Sequence, residues 1–296
     1  MMPIIHERVT IFTTKPVLGQ YHFNNKFQIY PSGRKPLQND RFFYPLNIEI
    51  SFLQKGKHYT RFSTPYGNDQ LTKKIIEIQH LLSVMTQFFF FGHIKAKNPI
   101  NKFINKACKR IEIGNINWYQ DKALDDRNVA NFMIPEFLDQ ALEIYYALTE
   151  DLLLLFRKAC YLFYCGVELR SSNPSLSFAS FVSAVETLMA FEAIAPDRCD
   201  TCGQPRYRFN ARFRNFIISY GYGGKKSAGA KKFINKLYGH RSRILHMGQL
   251  LLGDMFWHSV DEDSKRKEWE ESFLHKDLLA VTRICLINWL VSKKNS

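Results

Sequence analysis

Residues 136–169 read EFLDQALEIYYALTEDLLLLFRKACYLFYCGVEL, more than thirty positions in which apolar residues recur at helical spacing. The stretch predicts one bent helix or two. Pro135, at a natural first-turn position, marks where the chain turns helical. Four more helices follow by the same criterion. SSNPSLSFASFVSAVETLMAFEAI (171–194) is expected to be capped near Ser172 or Asn173 and to bury Phe178, Phe181, Val182, Val185, Leu188 and Met189. RFNARFRNFIISYG (208–221) ends at a glycine, AKKFINKLYGHRSRILHM spans 230–247, and FLHKDLLAVTRICLINWLV (273–291) closes the chain.

Upstream the pattern is different. YHFNNKFQIY (21–30) and FFYPLNIEISFLQKGKHYTRF (42–62) mix aromatic and branched residues in near alternation, and PSGRKP, QKGK and TPYGN supply turns. LTKKIIEIQHLLSVM (71–85) reads as an amphipathic helix capped by Asn68 or Asp69. FFFF (88–91) and RIEIGNINWY (110–119) read as strands. The predicted fold is an α+β N-terminal domain, residues 1–130, followed by an all-α helical bundle, residues 131–296.

The sequence carries 41 Lys or Arg against 27 Asp or Glu, a formal charge of +14 that favours a polyanionic partner. That charge is concentrated, since Thr201 to Gly253 holds eleven Lys or Arg and no acid. The first residues lack the long apolar core of a secretory signal and later apolar runs are broken by charge, so a soluble, cytoplasmic protein without membrane association is expected. Cys108, Cys160, Cys165 and Cys285 fall in apolar patterns that read as helical and suit reduced core thiols.

Inside the acid-free segment lies LYGHRSRILHMG (237–248), with Arg241 and His246 five positions apart and Ser242 beside the arginine. Histidine can give or take a proton near neutral pH, and arginine offers a planar fork of donors to a phosphoryl group. Lys225, Lys226, Lys231, Lys232, Lys236, His240 and Arg243 surround the pair as candidate RNA phosphate contacts.

This motif, preceded by the helix SFVSAVETLMAFE (180–192), resembles the Apea-like branch of the HEPN superfamily, whose signature is an arginine, a small polar residue and, a few positions on, a histidine often followed by glycine. The resemblance covers residues 135–292 and includes the order of the helices. It implies a metal-independent endoribonuclease, a hydrolase working as a symmetric homodimer, of the kind found in bacterial toxin and antiviral (antiphage) defence systems, with an antitoxin or other protein as a further partner. Arg241 and His246 would be catalytic, with Ser242 following. An acid on the preceding helix, Glu186 or else Glu192, would steady the arginine. Cleavage would run through the ribose 2′-hydroxyl and leave a 2′,3′-cyclic phosphate and a 5′-hydroxyl. Five positions turn an ideal helix through about 500°, so Arg241 and His246 should project roughly 140° apart and not form a tight local pair. A two-fold axis would then be needed to complete the site. Two other classes stay open: a non-catalytic HEPN-like module binding RNA or nucleotide as a scaffold, and a pure interaction protein.

Other features carry less chemistry. CDTCGQ places Cys199 and Cys202 as half of a zinc site, but a closed site needs four ligands and no second pair is visible, so a free cysteine pair in a loop is the favoured reading and no cofactor is expected. GYGGKKSAGAKK (221–232) departs from a nucleotide-hydrolysing P-loop because Lys226 separates Lys225 from Ser227, and it reads as a flexible basic loop. Tyr207, Phe209, Phe213 and Phe216 alternate with Arg206, Arg208, Arg212 and Arg214, either to stack bases or, as favoured here, with the phenylalanines packed inward.

Overall fold

Alternation in the N-terminal sequence becomes a two-faced antiparallel sheet in the computed structural model, which describes residues 4–38, 42–53, 70–86, 88–95, 107–111, 133–192, 197–198, 205–206, 209–255 and 261–294. Among the described residues, strands β1 (Ile4–Thr13), β2 (Tyr21–Phe23), β3 (Phe27–Pro31), β4 (Leu37–Gln38), β5 (Phe42–Leu53) and β6 (Phe90–Lys95) form one sheet, in the order β2-β3-β5-β1-β6 with β4 on β5. The register sets Val9 against Ile48, Ile11 against Leu46 and Ile48 against Ile29, which makes one face apolar. On the other face Arg8 Nε donates to Glu49 at 2.9 Å, Gln28 donates to the same carboxylate, and Thr10 donates to Asn47 at 3.0 Å. Helix α1 (Gln70–Met85) lies along β6, where Gln79 donates to the Gly92 carbonyl and Ser83 accepts from the Phe90 amide.

Two expectations fail in this part. Pro135 does not open a helix: Ile134–Pro135 is a short strand, β8, pairing in parallel with β7 (Arg110–Ile111), and the helix begins at Leu138. The pairing is non-local, since the Ile134 amide donates to the Lys109 carbonyl. Cys108 is also not helical. Its amide donates to the Gln20 carbonyl at 3.0 Å, and a Cβ at Gly19 would stand 2.6 Å from that nitrogen, so only glycine permits the backbones to approach this closely. The proposed caps Asn68 and Asp69 and most of 110–119 lie outside the described residues.

The chain divides into two compact units, the first taking its described residues from Ile4 to Asp139 and the second from Gln140 to Lys294. The second is helical. The long apolar run breaks at Leu148 and Thr149 into α2 (Leu138–Ala147) and α3 (Glu150–Leu169). It continues with α4 (Pro174–Phe191), α5 (Phe209–Gly221), α6 (Ala228–Met247) and α7 (Glu262–Ser292). Helix α4 is capped by Asn173, whose side chain accepts from the Leu176 amide, with Pro174 in its first turn. It packs against α3, α5, α6 and α7, and all six residues expected in its core are buried. By composition and length α4 passes as a membrane span, but 56% of it is buried inside the unit.

One polar tie holds three of these helices. Ser177 Oγ donates to the Gly166 carbonyl on α3 at 2.5 Å and so accepts from His275 Nε2 on α7 at 2.8 Å. His275 is buried, and burial, aided by Arg170, pushes its pKa down to about 3. Helix α7 starts earlier than the apolar pattern implies, because Asp261 accepts from the Ser264 amide and Lys265 and Arg266 pair with Glu262 and Asp263 three residues back. Ala228 and Gly229, expected in the basic loop, belong to α6, which Ser227 caps. Gly248 ends it in the left-handed conformation at φ 63°.

Packing at Gly166 leaves no room for a side chain. A Cβ there would fall 2.6 Å from the Phe181 ring, so Gly166→Ala should lower unfolding free energy in urea by about 1–3 kcal/mol. His275 makes a second prediction. Its folded pKa lies below the usual 6.5, so protonation favours unfolding: its stability contribution is complete above about pH 6.5 and is lost as pH falls toward 3. Urea titrations of wild type should lose up to roughly 1.4 kcal/mol per pH unit more than His275→Gln over that range; parallel pH profiles would remove His275 from the account.

Candidate functional site

Helix α4 carries a single charged residue in its eighteen positions, Glu186. It faces α6, where Arg241 Nη2 donates to its carboxylate at 2.9 Å, with both side chains about four-fifths buried (20% and 18% exposed). The other arm of the same guanidinium, Nη1, lies 3.2 Å from His246 Nε2. Arginine has no acceptor, so it is the donor here, and the histidine nitrogen facing it is unprotonated, leaving the ring proton on Nδ1. Glu186, Arg241 and His246 therefore form one hydrogen-bonded chain, and the guanidinium also lies 6.0 Å from the centre of the Tyr238 ring.

This arrangement overturns the expectation that Arg241 and His246 project too far apart to pair within one chain. Helical side chains lean toward the N-terminus, so His246 tilts back over the turn that holds Arg241, and the long arginine stem spans the remaining angle. The pairing needs no second copy. It also settles which acid meets the arginine. Glu192 is engaged elsewhere, accepting from Tyr220 at 2.6 Å and from Lys293 at 3.1 Å.

Burial raises the Glu186 pKa, and the Arg241 charge and hydrogen bond only partly offset it. The ion pair thus fails to compensate for taking the carboxylate out of water. Arg241 Nε is moreover buried and has no hydrogen-bond partner among the described residues, which costs about 1–3 kcal/mol for a buried donor.

His246 sits exposed in the last turn of α6, just before the Gly248 stop. On an ideal helix, Lys232, Lys236, Arg243 and His246 share one stripe. Lys231, Lys232 and Lys236 are exposed along α6, and Lys225 and Lys226 are exposed in the turn before it, where Gly223 and Gly224 take positive φ. Ser242 is half-buried and joins neither Arg241 hydrogen bond. His240 is half-buried too, its pKa pushed down to about 4 by burial and then by Arg243, Lys236 and Lys267. Lys267 and Glu271 of α7 also border this end of α6 and escaped the sequence reading, because they lie in the highly charged start of α7, which has no apolar periodicity. Phe213 and Phe216 pack inward, while Arg212 bonds the Met189 carbonyl and Arg214 bonds Asn235. Phe209 is exposed.

Cys199 and Cys202 lie outside the described residues, as do Tyr207, Arg208 and the Arg206 side chain. Strands β9 (Asp197–Arg198) and β10 (Pro205–Arg206) pair antiparallel on either side of the cysteine segment. Among the described residues no three His, Cys, Asp or Glu side chains gather as a metal site. No protein-family model, curated protein or solved structure matches this chain.

The raised Glu186 pKa fixes the sign of a stability test. The folded protein holds this proton more tightly than the unfolded chain, so the advantage is complete below the ordinary value of 4.5 and is lost as pH rises through the folded value. In urea titrations from about pH 4 to pH 7, wild type should lose stability relative to Glu186→Gln; a difference independent of pH would contradict this reading.

Proposed function

We propose that the chain is a metal-independent endoribonuclease of the HEPN type. The observation that carries the reading is the double engagement of Arg241, held by Glu186 on one arm and by His246 on the other, at the edge of a basic helix face. Lysines along α6 and in the turn before it would hold the RNA backbone, and their charge would speed encounter with it. A phosphate arriving at Arg241 competes with His246 for Nη1 and frees the imidazole Nε2. That nitrogen then takes the proton of the ribose 2′-hydroxyl. The 2′-oxygen bonds to phosphorus, the bond to the 5′-oxygen breaks, and the departing oxygen receives the proton. Arg241 stabilises the charge that builds on the phosphoryl oxygens, and Glu186 keeps the guanidinium in place. The products are a 2′,3′-cyclic phosphate and a 5′-hydroxyl. DNA, without the 2′-hydroxyl, would bind and stay intact.

A homodimer remains part of this proposal in a changed role. Since each chain assembles its own Arg241 and His246, pairing would set two such sites along one RNA. Leu245, Met247 and Leu250, all exposed beside His246, offer apolar surface for it. The N-terminal unit would select substrate, sense a signal or bind a restraining protein, in a cytoplasmic toxin or antiphage setting.

The test is incubation of purified protein with total RNA in EDTA, followed by mapping of the ends produced. Wild type should generate new 5′-hydroxyl ends, and His246→Ala and Arg241→Ala should each reduce the rate by roughly 100-fold or more. Absence of new ends with wild type, or equal cutting by both variants, would sink the enzymatic reading. RNA bound tightly but never cut would favour the non-catalytic RNA-binding module.

A further inference from the structure

A cleft of about 300 Å³ lies between the end of α6 and the start of α7. His240 and Arg243 form one wall, Lys267 and Glu271 the other, with Gln249 and Leu250 at the segment after α6. Its volume is at the small end of ligand clefts, roughly 300–1,000 Å³, which suits a single small molecule and not an extended one.

We propose that this cleft is a nucleotide subsite, with the phosphate held between Arg243 and Lys267 and the base laid against Leu250 and the His240 ring. The proposal deepens the ribonuclease reading and rests on it for what the nucleotide belongs to, the residue of RNA next to the one that is cut.

Three observations support it. First, the cleft's cations are available. Glu271 shares the cleft, yet one of its oxygens accepts from the Leu252 amide at 2.7 Å, and among the described residues neither Arg243 nor Lys267 forms an ion pair. Lys265 and Arg266, on the same helix as Lys267, are by contrast paired with Glu262 and Asp263. Second, the fields of Arg243 and Lys267 converge, since both contribute to holding the His240 ring neutral. Two cations and a neutral ring with one donor and one acceptor suit a phosphate beside a base edge. Third, position fits. Arg243 lies three residues before His246 on α6, about 60° around an ideal helix, so the cleft opens on the side of α6 that carries the exposed histidine.

The experiment measures binding without cleavage. A fluorescein-labelled RNA of about twelve nucleotides, fully 2′-O-methylated so that it cannot be cut, is titrated with the full chain by anisotropy, with adenosine monophosphate as competitor. The double variant Arg243→Gln, Lys267→Gln should bind about tenfold or more weakly. The control Lys265→Gln, Arg266→Gln, which removes the same two charges outside the cleft, should change affinity by less than about twofold. Arg243→Lys with Lys267→Arg should restore most binding, which separates charge from misfolding. Competition by adenosine monophosphate means that the cleft accepts a free nucleotide as well; its absence, with the double variant still weakened, means that it reads a nucleotide only within a strand. Equal weakening of both double variants, or of neither, overturns the subsite. Because this RNA cannot be cleaved, failure of the nuclease assay leaves the binding result standing, and the reverse holds as well.

Discussion

Enclosure of α4 is the constraint on which the helical unit depends. A helix with one charge in eighteen residues is unstable in water and must be surrounded, and α3, α5, α6 and α7 surround it. Enclosure carries Glu186 inward with the rest of the helix. A carboxylate taken out of water needs a cation and hydrogen bonds, and Arg241 supplies both without fully balancing the loss. What the pair provides is a guanidinium with one arm fixed and the other presented to an exposed histidine.

The same enclosure is supported by a small polar joint. Ser177 bridges Gly166 and His275, so α3 can approach α4 closely where Gly166 meets the Phe181 ring, and α7 is fixed against both. Packing of this density leaves discrete side-chain positions and little play. Fixing α4, α6 and α7 relative to one another holds Glu186 opposite Arg241 and keeps Lys267 near Arg243.

Much of this was readable in the sequence, and the failures share a cause. Apolar periodicity located each helix of the second unit and the buried residues of α4, because burial on one element leaves a local pattern. Alternation located the two-faced sheet for the same reason. The start of α7 was missed because residues 262–272 are charged on nearly every side and owe their helix to the Asp261 cap and to i,i+3 pairs, which leave no apolar trace. Pro135 was misplaced because a parallel bridge to Ile111 is a contact between distant parts of the chain. The distance between Arg241 and His246 was misjudged because directions of Cα to Cβ bonds say little about where a long side chain ends. Spacing does identify the two residues, and the family resemblance leaves Glu186 or Glu192 as the acid on the preceding helix. Tertiary structure chose between those two by giving Glu192 to Tyr220 and Lys293.

Arginine's inability to accept a hydrogen bond gives the resting site a direction. With Nη1 donating to His246, the imidazole has its lone pair turned toward the guanidinium, and in the ribonuclease reading this puts the base under a cover made of its own electrophile. In the ribonuclease reading, that base comes into use only when a ligand occupies the arginine. An anion is thus both ligand and key, and a neutral molecule that merely fits the surface would leave the lone pair covered. In the ribonuclease reading, selectivity for phosphodiesters begins with this exchange of partners, before any base of the RNA is read.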